Sequence, residues 1–303
     1  MKRFGLFLWT VALLPVAAPA QEDKPVSRLE IYDLQTGTRE VLKEYPGLIE
    51  APNWTVDGKY LVYNSKGRLY RIEVDDPRSD VPLPTGFADR CNNDHVLSAD
   101  GSRIAISHGT HEDGKSRIYT LPLAGGSPAL ITPLAPSYLH GWSPDGKTLA
   151  YCAERGGNYD VYVIPAEGGV EQRLTDAPLL DDGPEYSPCG QYIWFNSARS
   201  GLMQVWRMNA DGSEQQQMTF DEDRNAWFPH LSPDGKNVIY ICYKKGDVAP
   251  GDHPPRKSVE LRMMPSGGGD PKTLVRLFGG QGTINVNSWS PDSKRFAFVS
   301  YIK

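Results

Sequence analysis

Residues 142–147 read WSPDGK, and five other segments of the chain repeat this turn with small changes. The six copies begin at Trp54, Leu97, Trp142, Tyr186, Leu231 and Trp289. Successive copies are 43, 45, 44, 45 and 58 residues apart. A period near 44 residues is typical of a β-propeller, in which each repeat forms one blade. The longer last interval contains an insertion at 244–258 that is rich in Pro and Gly.

The residues after each turn have the periodicity of β-strands. Seven positions after the first residue of each copy stand Leu61, Ile104, Leu149, Ile193, Val238 and Phe296; nine positions after it stand Tyr63, Ile106, Tyr151, Phe195, Tyr240 and Phe298. Apolar residues at alternate positions predict a strand. A third strand and a short fourth follow in most copies, as in DVYVIPA at 160–166 and QRLT at 172–175. The sequence therefore predicts an all-β, six-bladed propeller with four-stranded antiparallel blades.

The two ends of the chain are expected to share the last blade. The sixth copy is followed by only one more strand before Lys303, so the last repeat has two strands. The segment RLEIYDLQTGTREVL at 28–42 lies before the first copy and has the pattern of a third and a fourth strand. We expect these N-terminal strands to complete the sixth blade and close the ring, because closure pairs a sheet edge that would otherwise be exposed.

The first twenty residues have the pattern of an export signal. Lys2 and Arg3 precede an apolar run of about a dozen residues, and Ala18 and Ala20 fit a small-residue cleavage site. We expect a signal peptide at 1–20 and a single propeller domain at 21–303, located in the periplasm or secreted. No later stretch is apolar enough to cross a bilayer. The formal net charge of −5 gives no basic footprint, which argues against a nucleic-acid partner, and we expect a monomer.

The repeats resemble the WD-like repeats of the TolB-type propeller family. That family's unit runs Trp-Ser-Pro-Asp-Gly-Lys, then an apolar strand, then a strand that ends near Gly-Gly and a Leu-Thr. The resemblance covers residues 28–303 and implies the propeller fold. TolB itself binds partner proteins of the cell envelope, so the resemblance also implies a binding role. More distantly, the repeats are similar to the propeller of oligogalacturonate lyases, in which a metal sits at the channel mouth.

The histidines concentrate at one end of the predicted channel. In a propeller the first strand of each blade lines the channel, and its upper mouth collects the loops that precede first strands and those that join second to third strands. His95, His140 and His230 fall on first strands of blades 2, 3 and 5, whereas His108, His111 and His253 fall in upper loops. The other candidate site residues in the upper half are Asn93, Asp94, Tyr138, Arg155, Asp182, Glu185, Arg199 and Trp227.

Three interpretations of the channel histidines remain open. His95, His140, His230 and Glu185 are candidate ligands of a divalent metal, because imidazole nitrogens with a carboxylate suit a transition ion. The same side chains also suit a metal-free ligand site. In the third interpretation each histidine bonds a neighbouring carbonyl and only stiffens the channel.

Two functions follow from these interpretations. The first is an exported binding module that takes a saccharide, a peptide or a cell-envelope protein at the upper channel mouth. The alternative is a metal-dependent, lyase-like enzyme that acts on polysaccharide. In such an enzyme Arg155, Arg199 or Arg256 would neutralise the uronate carboxylate, and a histidine or Glu185 would remove the proton.

Several other residues are expected to be structural. The tryptophans at the repeat positions should pack between blades, and the aspartates of the repeated turns should form those turns. The repeat map separates Cys91, Cys152, Cys189 and Cys242 by more than a disulfide can span, so we expect four free thiols.

Overall fold

The computed structural model describes residues 25–302, which form 23 β-strands in six antiparallel sheets. The predicted signal peptide at 1–20 lies outside the described residues. Across residues 25–302 there is no helix of the length and apolarity that a membrane crossing requires. The sheets are the six blades of a propeller, as the repeats predict.

Blades 1 to 3 each contain four strands in chain order. Blade 1 consists of β3 (Glu50–Trp54), β4 (Tyr60–Ser65), β5 (Arg68–Glu73) and β6 (Asp76–Pro82). Blade 2 consists of β7 (Cys91–Leu97), β8 (Arg103–Gly109), β9 (Ser116–Pro122) and β10 (Ala129–Leu130). Blade 3 consists of β11 (Ser137–Trp142), β12 (Thr148–Arg155), β13 (Asn158–Pro165) and β14 (Gln172–Arg173).

Blades 4 and 5 repeat this order, and blade 6 combines the two ends of the chain. Blade 4 consists of β15 (Asp181–Tyr186), β16 (Tyr192–Ser197), β17 (Gln204–Asn209) and β18 (Gln216–Gln217). Blade 5 consists of β19 (Arg224–Leu231), β20 (Asn237–Lys244), β21 (Lys257–Pro265) and β22 (Lys272–Gly279). Blade 6 consists of β23 (Arg295–Tyr301), β1 (Val26–Asp33) and β2 (Arg39–Pro46).

The ring is closed through blade 6. The innermost strands contact one another from β3 through β7, β11 and β15 to β19, and β23 contacts both β22 and β3. β1 pairs with β23, with Leu29 opposite Val299 and Ile31 opposite Ala297. The expected completion of the last blade by the N-terminal strands is thus confirmed.

The innermost position of blade 6 is held by an irregular segment at 283–290 instead of a regular strand. Val299 N donates to Thr283 O at 3.0 Å, and Ala297 N donates to Ser288 O at 2.9 Å. A single bridge joins Trp289 to Phe296. Through these bonds the segment takes the place of the fourth strand of blade 6. The channel wall is less regular there than in the other five blades, whose innermost strands are all assigned.

The repeated turns hold the lower face together. In blade 3, Asp145 accepts hydrogen bonds from the Ser143 hydroxyl at 2.6 Å and from Lys147 N at 3.1 Å, which fixes the turn. The Trp142 ring is buried, and its Nε1 donates to Val96 O of blade 2 at 2.9 Å. The aspartates therefore form turns and the tryptophan packs between blades, as expected.

All four cysteines are free. Cys91, Cys152 and Cys242 are buried, and only Cys189 is exposed. Cys189 replaces the usual aspartate of its turn, where its sulfur lies 3.3 Å from the Ser187 hydroxyl. The expectation of four free thiols is confirmed.

Candidate functional site

The upper channel mouth contains a cavity of about 510 Å³, which we call the upper cavity. Its lining residues are Asn92, Asp94, Tyr138, His140, Cys152, Tyr159, Leu180, Asp182, Phe228, Gly251, His253, Gln281 and Asn285. They come from the first strands, from the upper loops and from the adjoining parts of a second and a third strand. A second cavity of about 410 Å³ opens at the lower face between the repeated turns, and His140 borders both.

Bulges in the first strands aim the side chains that line the upper cavity. The pairing of β15 with β16 shifts between Asp182 and Glu185, and Gly183 within the bulge has φ of 62°. The equivalent bulge in β19 gives Phe228 φ of 52°. Phe228 N donates to Asn196 Oδ1 at 3.0 Å, so a side chain of blade 4 holds this unusual backbone of blade 5.

His140 and Asp182 form the central pair of the upper cavity. The His140 Nε2 lies 3.1 Å from Asp182 Oδ1, and both side chains are buried. Burial alone would lower the pKa of His140, but the Asp182 carboxylate, together with Asp94 and the Asn285 backbone, outweighs burial and raises that pKa above its usual value. Burial would likewise raise the pKa of Asp182, and His140 holds it below its usual value.

His253 covers this pair from the insertion between β20 and β21. Its Nε2 lies 4.0 Å from Asp182 Oδ2, and its ring is 4.4 Å from the Trp227 ring and 5.1 Å from the Phe228 ring. Burial lowers the pKa of His253. Because burial among aromatic rings favours the uncharged form, His253 adds little positive charge to the cavity at neutral pH.

Asp94 also lines the upper cavity, from the first strand of blade 2. The residue is 5% exposed, and its carboxylate accepts a hydrogen bond from Asn92 Nδ2 at 2.6 Å. Burial raises the pKa of Asp94 to about 6. Glu50 lies close enough for the two carboxylates to repel each other, and burial together with Asp94 raises the pKa of Glu50 to about 7.

His230 and Glu185 lie below the upper cavity and form a saturated network. The His230 Nδ1 is 2.6 Å from Glu185 Oε2, and its Nε2 is 2.9 Å from Ile284 O. Glu185 Oε1 accepts from Leu231 N at 2.9 Å and from Asn287 Nδ2 at 2.7 Å. The pair joins blades 4, 5 and 6 and does not line the upper cavity, contrary to the expectation that His230 faces the mouth.

His95 and Asn93 are buried in blade 2 and do not line the upper cavity either. The His95 Nε2 lies 3.5 Å from Val62 O, and burial lowers the pKa of His95 to about 4. The bulge between Cys91 and His95 changes which way these side chains point relative to a regular strand. His95 and His140 are both two residues before their turns, yet only His140 reaches the cavity.

The predicted arginines are engaged outside the cavity. Arg155 makes two hydrogen bonds with Glu171, at 2.8 and 2.9 Å, and donates to Pro136 O. Arg199 pairs with Asp181 at 2.6 Å. Trp227 is fully buried behind His253. Of the predicted site residues, the structure brings together Asp94, Tyr138, His140 and Asp182.

The predicted metal ligands do not converge on one point. Among the described residues, no group of three or more His, Cys, Asp or Glu side chains is placed to hold a metal ion. His230 and Glu185 use their polar atoms on each other and on the neighbouring backbone, while His140 pairs with Asp182. His95, His140, His230 and Glu185 are therefore not arranged to bind one metal ion together.

Neither His253 and Tyr159, which line the upper cavity, nor Glu50, which lies close to Asp94, was among the candidate site residues. Tyr159 lies at the start of β13, and its ring is 6.4 Å from that of Tyr138. His253 had a usable signal, because it lies in the one long insertion and that insertion belongs to an upper loop. Glu50 lies at the start of a first strand, and the sequence has no feature that distinguishes it from the other acids of the chain.

Fold and site together define a six-bladed propeller of WD-like repeats with a polar, aromatic-lined cavity at its upper mouth. The model of the TolB beta propeller domain matches residues 95–253. An uncharacterised protein of Agrobacterium fabrum is 48% identical over 275 residues, which are 91% of this chain and 92% of that protein. The chain belongs to the TolB beta-propeller domain family.

Solved structures and more distant relatives agree with this assignment. A structure from Agrobacterium tumefaciens, provisionally named TolB, has a TM-score of 0.88 and 47% identity over 92% of this chain and 99% of that one. The Tol-Pal system protein TolB of Francisella tularensis is 25% identical over 95% of this chain, which spans 65% of that relative. An oligogalacturonate lyase in complex with manganese has a TM-score of 0.52 and 14% identity, over 83% of this chain and 67% of that one. The likeness to the lyase shows the fold alone.

Proposed function

We propose that this propeller is an exported binding module whose upper cavity takes a segment of a cell-envelope protein. The upper cavity itself carries the proposal: it is a concave site, lined by aromatic rings, with a few convergent polar groups. The His230–Glu185 network, whose polar atoms are already partnered, does not line the cavity. A ligand would therefore meet the aromatic rings and the Asp94 and Asp182 carboxylates.

A polypeptide ligand is favoured over a saccharide by the relatives of the chain. The Francisella relative is named as a component of the Tol-Pal system, which suggests assembly with other proteins. That relative is longer than the region matched here, so its partners are carried over only as a proposal. A saccharide or a free peptide remains the alternative ligand of the same cavity. We also propose that the chain acts as a monomer in the periplasm or after secretion, with a signal peptide at 1–20 and the propeller at 21–303.

The lyase-like enzyme has weaker support. It requires an arginine for the uronate carboxylate. Arg155 and Arg199 are bound to Glu171 and Asp181 outside the cavity, and Arg256 is exposed and does not line the cavity. It also requires a metal, which the residues proposed to bind it do not fit.

Site-specific photocrosslinking in cells that make the protein tests the binding role. A benzophenone side chain replaces Tyr138 or Tyr159 at the upper cavity, and Tyr60 near the lower turns serves as the matched aromatic control. We expect irradiation to give a discrete adduct with one polypeptide from both upper positions and none from Tyr60. Adducts of equal yield from Tyr60, or none from the upper positions, would overturn the proposal. An adduct to a glycan would favour the saccharide alternative instead.

A further inference from the structure

The charges around the upper cavity are unbalanced. Asp94 and Asp182 line it, and Glu50 lies close to Asp94. None of the lining residues is a lysine or an arginine. Asp182 has His140 as its partner, whereas Asp94 makes no ion pair with any residue of the described chain.

Asp94 has no cationic group in ion-pair contact, because His140, which attracts it at longer range, is paired with Asp182. Asp94 is 5% exposed, and Asn92 donates to its Oδ2. Its Oδ1 accepts no hydrogen bond within residues 25–302, and the side chain lines the cavity. A buried carboxylate is costly unless a cation and hydrogen bonds compensate it. The geometry thus leaves one acceptor oxygen, in a pocket, for a positively charged donor.

We propose that the upper cavity receives a lysine side chain of the partner segment and holds its ammonium group at Asp94. This inference rests on the proposed function, because it names the chemical group that the bound segment supplies. It goes beyond that function by predicting which segments bind and which do not.

The shape of the site suits a lysine better than an arginine. A guanidinium binds a carboxylate best through two parallel hydrogen bonds, and one oxygen of Asp94 is already occupied by Asn92. An ammonium group needs only the remaining oxygen. The rings of Tyr138 and Tyr159 line the same cavity and attract a cation, while Leu180 and Phe228 offer apolar surface to the aliphatic stem.

Two small probes separate charge from shape. N-acetyl-lysine N-methylamide carries the side chain on a backbone, and N-acetyl-norleucine N-methylamide has a similar stem without the ammonium. We expect the lysine amide to bind at least about tenfold more tightly at pH 8, measured by NMR titration of the tyrosine ring signals. Equal binding of the two amides would overturn the inference, and this comparison needs no variant. Free 1,5-diaminopentane should bind more weakly than the lysine amide; tighter binding would overturn the partner lysine in favour of a free amine.

Asp94→Asn tests the residue itself. We expect it to weaken the lysine amide at least about tenfold and to leave the norleucine amide unchanged. Asp75→Asn, at an exposed position away from the cavity, is the matched control and should change neither. The unliganded Asp94→Asn protein should melt no lower than the wild type, because the change removes a buried charge that has no ion-pair partner. Unchanged lysine affinity in Asp94→Asn would overturn the inference.

The outcomes are distinguishable from those of the crosslinking experiment. Crosslinks at Tyr138 and Tyr159 without a preference for the lysine amide would leave the binding module standing and overturn only the lysine. A preference for the lysine amide without crosslinks would do the reverse: the acidic pocket would stand, and its assignment to an envelope protein would fall.

Discussion

Three channel histidines at nearly equal depth have three different surroundings. His140 pairs with Asp182 at the wall of a cavity, His95 is buried with an unpartnered Nδ1, and His230 has an acceptor at each ring nitrogen. An imidazole that already has both partners has little capacity to bind anything else. The chemistry of the mouth therefore depends on His140 and the carboxylates, and His230 acts as a structural link between blades.

Replacing His230 should measure this structural role. We expect His230→Ala to lower the free energy of unfolding by about 1–3 kcal/mol, because Glu185 and the Ile284 carbonyl lose a buried donor. Urea denaturation followed by tryptophan fluorescence gives the value. The control is His111→Ala, whose ring is exposed and paired with Asp89, and which should change stability by less than about 0.5 kcal/mol. Equal stability of the wild type and His230→Ala would contradict a structural role.

Glu50 should make the protein less stable as the pH rises towards neutrality. Its pKa is raised from 4.5 to about 7, first by burial and then by Asp94. A raised pKa means that the folded state prefers the protonated acid. The contribution of Glu50 to the free energy of unfolding is therefore complete below pH 4.5 and is lost as the pH rises through 7. The Gln side chain stays neutral. The free energy of unfolding of Glu50→Gln should therefore rise by roughly 1–3 kcal/mol relative to that of the wild type between pH 5 and pH 8.

Urea denaturation of both proteins at pH 5 and pH 8 checks this difference. Glu112→Gln replaces an exposed glutamate of the loop between β8 and β9 and should follow the wild type at both pH values. If Glu50→Gln instead tracked the wild type across this range, the carboxyl group would not be held in an unfavourable environment.

At the scale of the elements, strand periodicity was sufficient for the fold and insufficient for the site. Alternating apolar residues after each turn predict the second strands, and these are regular in every blade. The first strands carry bulges, and a bulge inverts the side-chain direction without leaving a periodic signal in the sequence. This is why His140 lines the upper cavity, whereas Glu185 and His230, on the other side of the same irregularity, do not.

The long insertion is the second feature of the site that strand periodicity could not predict. His253 reaches the cavity because residues 245–256 fold back over blade 5, with Tyr243 OH donating to Pro254 O at 3.0 Å. No local periodicity describes such a loop, so its path could not be derived from residue spacing. Long-range contacts of this kind depend on the assembled ring.

The bulge in β15 gives a test at this scale. A Cβ on Gly183 would lie 2.5 Å from Asn196 Oδ1 and 3.1 Å from a Phe228 ring carbon, and its φ is in the left-handed region. Gly183→Ala should therefore cost about 2–4 kcal/mol, from backbone strain and from disruption of the bond between Asn196 and Phe228 N.

Gly146→Ala is the matched control for that variant. Gly146 has φ of 71° in a repeated turn, and a Cβ added there would meet nothing within 4 Å. The change therefore introduces the backbone strain alone, about 1 kcal/mol. Urea denaturation should give a clearly lower free energy of unfolding for Gly183→Ala than for Gly146→Ala. Losses of the same size would mean that Asn196 and Phe228 do not depend on the glycine.

At the scale of the whole molecule, stability depends on joining the two ends of the chain. β1 lies between β2 and β23, so blade 6 exists only when both ends are present. Leu29 and Ile31 are buried in the cluster that contains Val299, and the buried carboxylate of Glu30 accepts from Ser300 and Arg39. Such a closure makes the folded ring cooperative, because opening one seam exposes a sheet edge and a core surface together.

Removing residues 21–46 should therefore unfold or aggregate the protein. Loss of two buried aliphatic residues costs about 2–5 kcal/mol each, which approaches the usual stability of a domain, about 5–15 kcal/mol.

A circular permutant supplies the matched control: the chain begins at Gly47, and residues 25–46 follow residue 303 through a short turn. Ser27 pairs with Tyr301 and Ile302 N donates to Val26 O, so the new connection needs to span only a hairpin. We expect the permutant to be soluble and monomeric by size-exclusion chromatography, with a melting temperature near that of the intact chain, while the deletion is not. A deletion variant that stays monomeric and melts like the intact protein would show that the N-terminal strands do not close the ring.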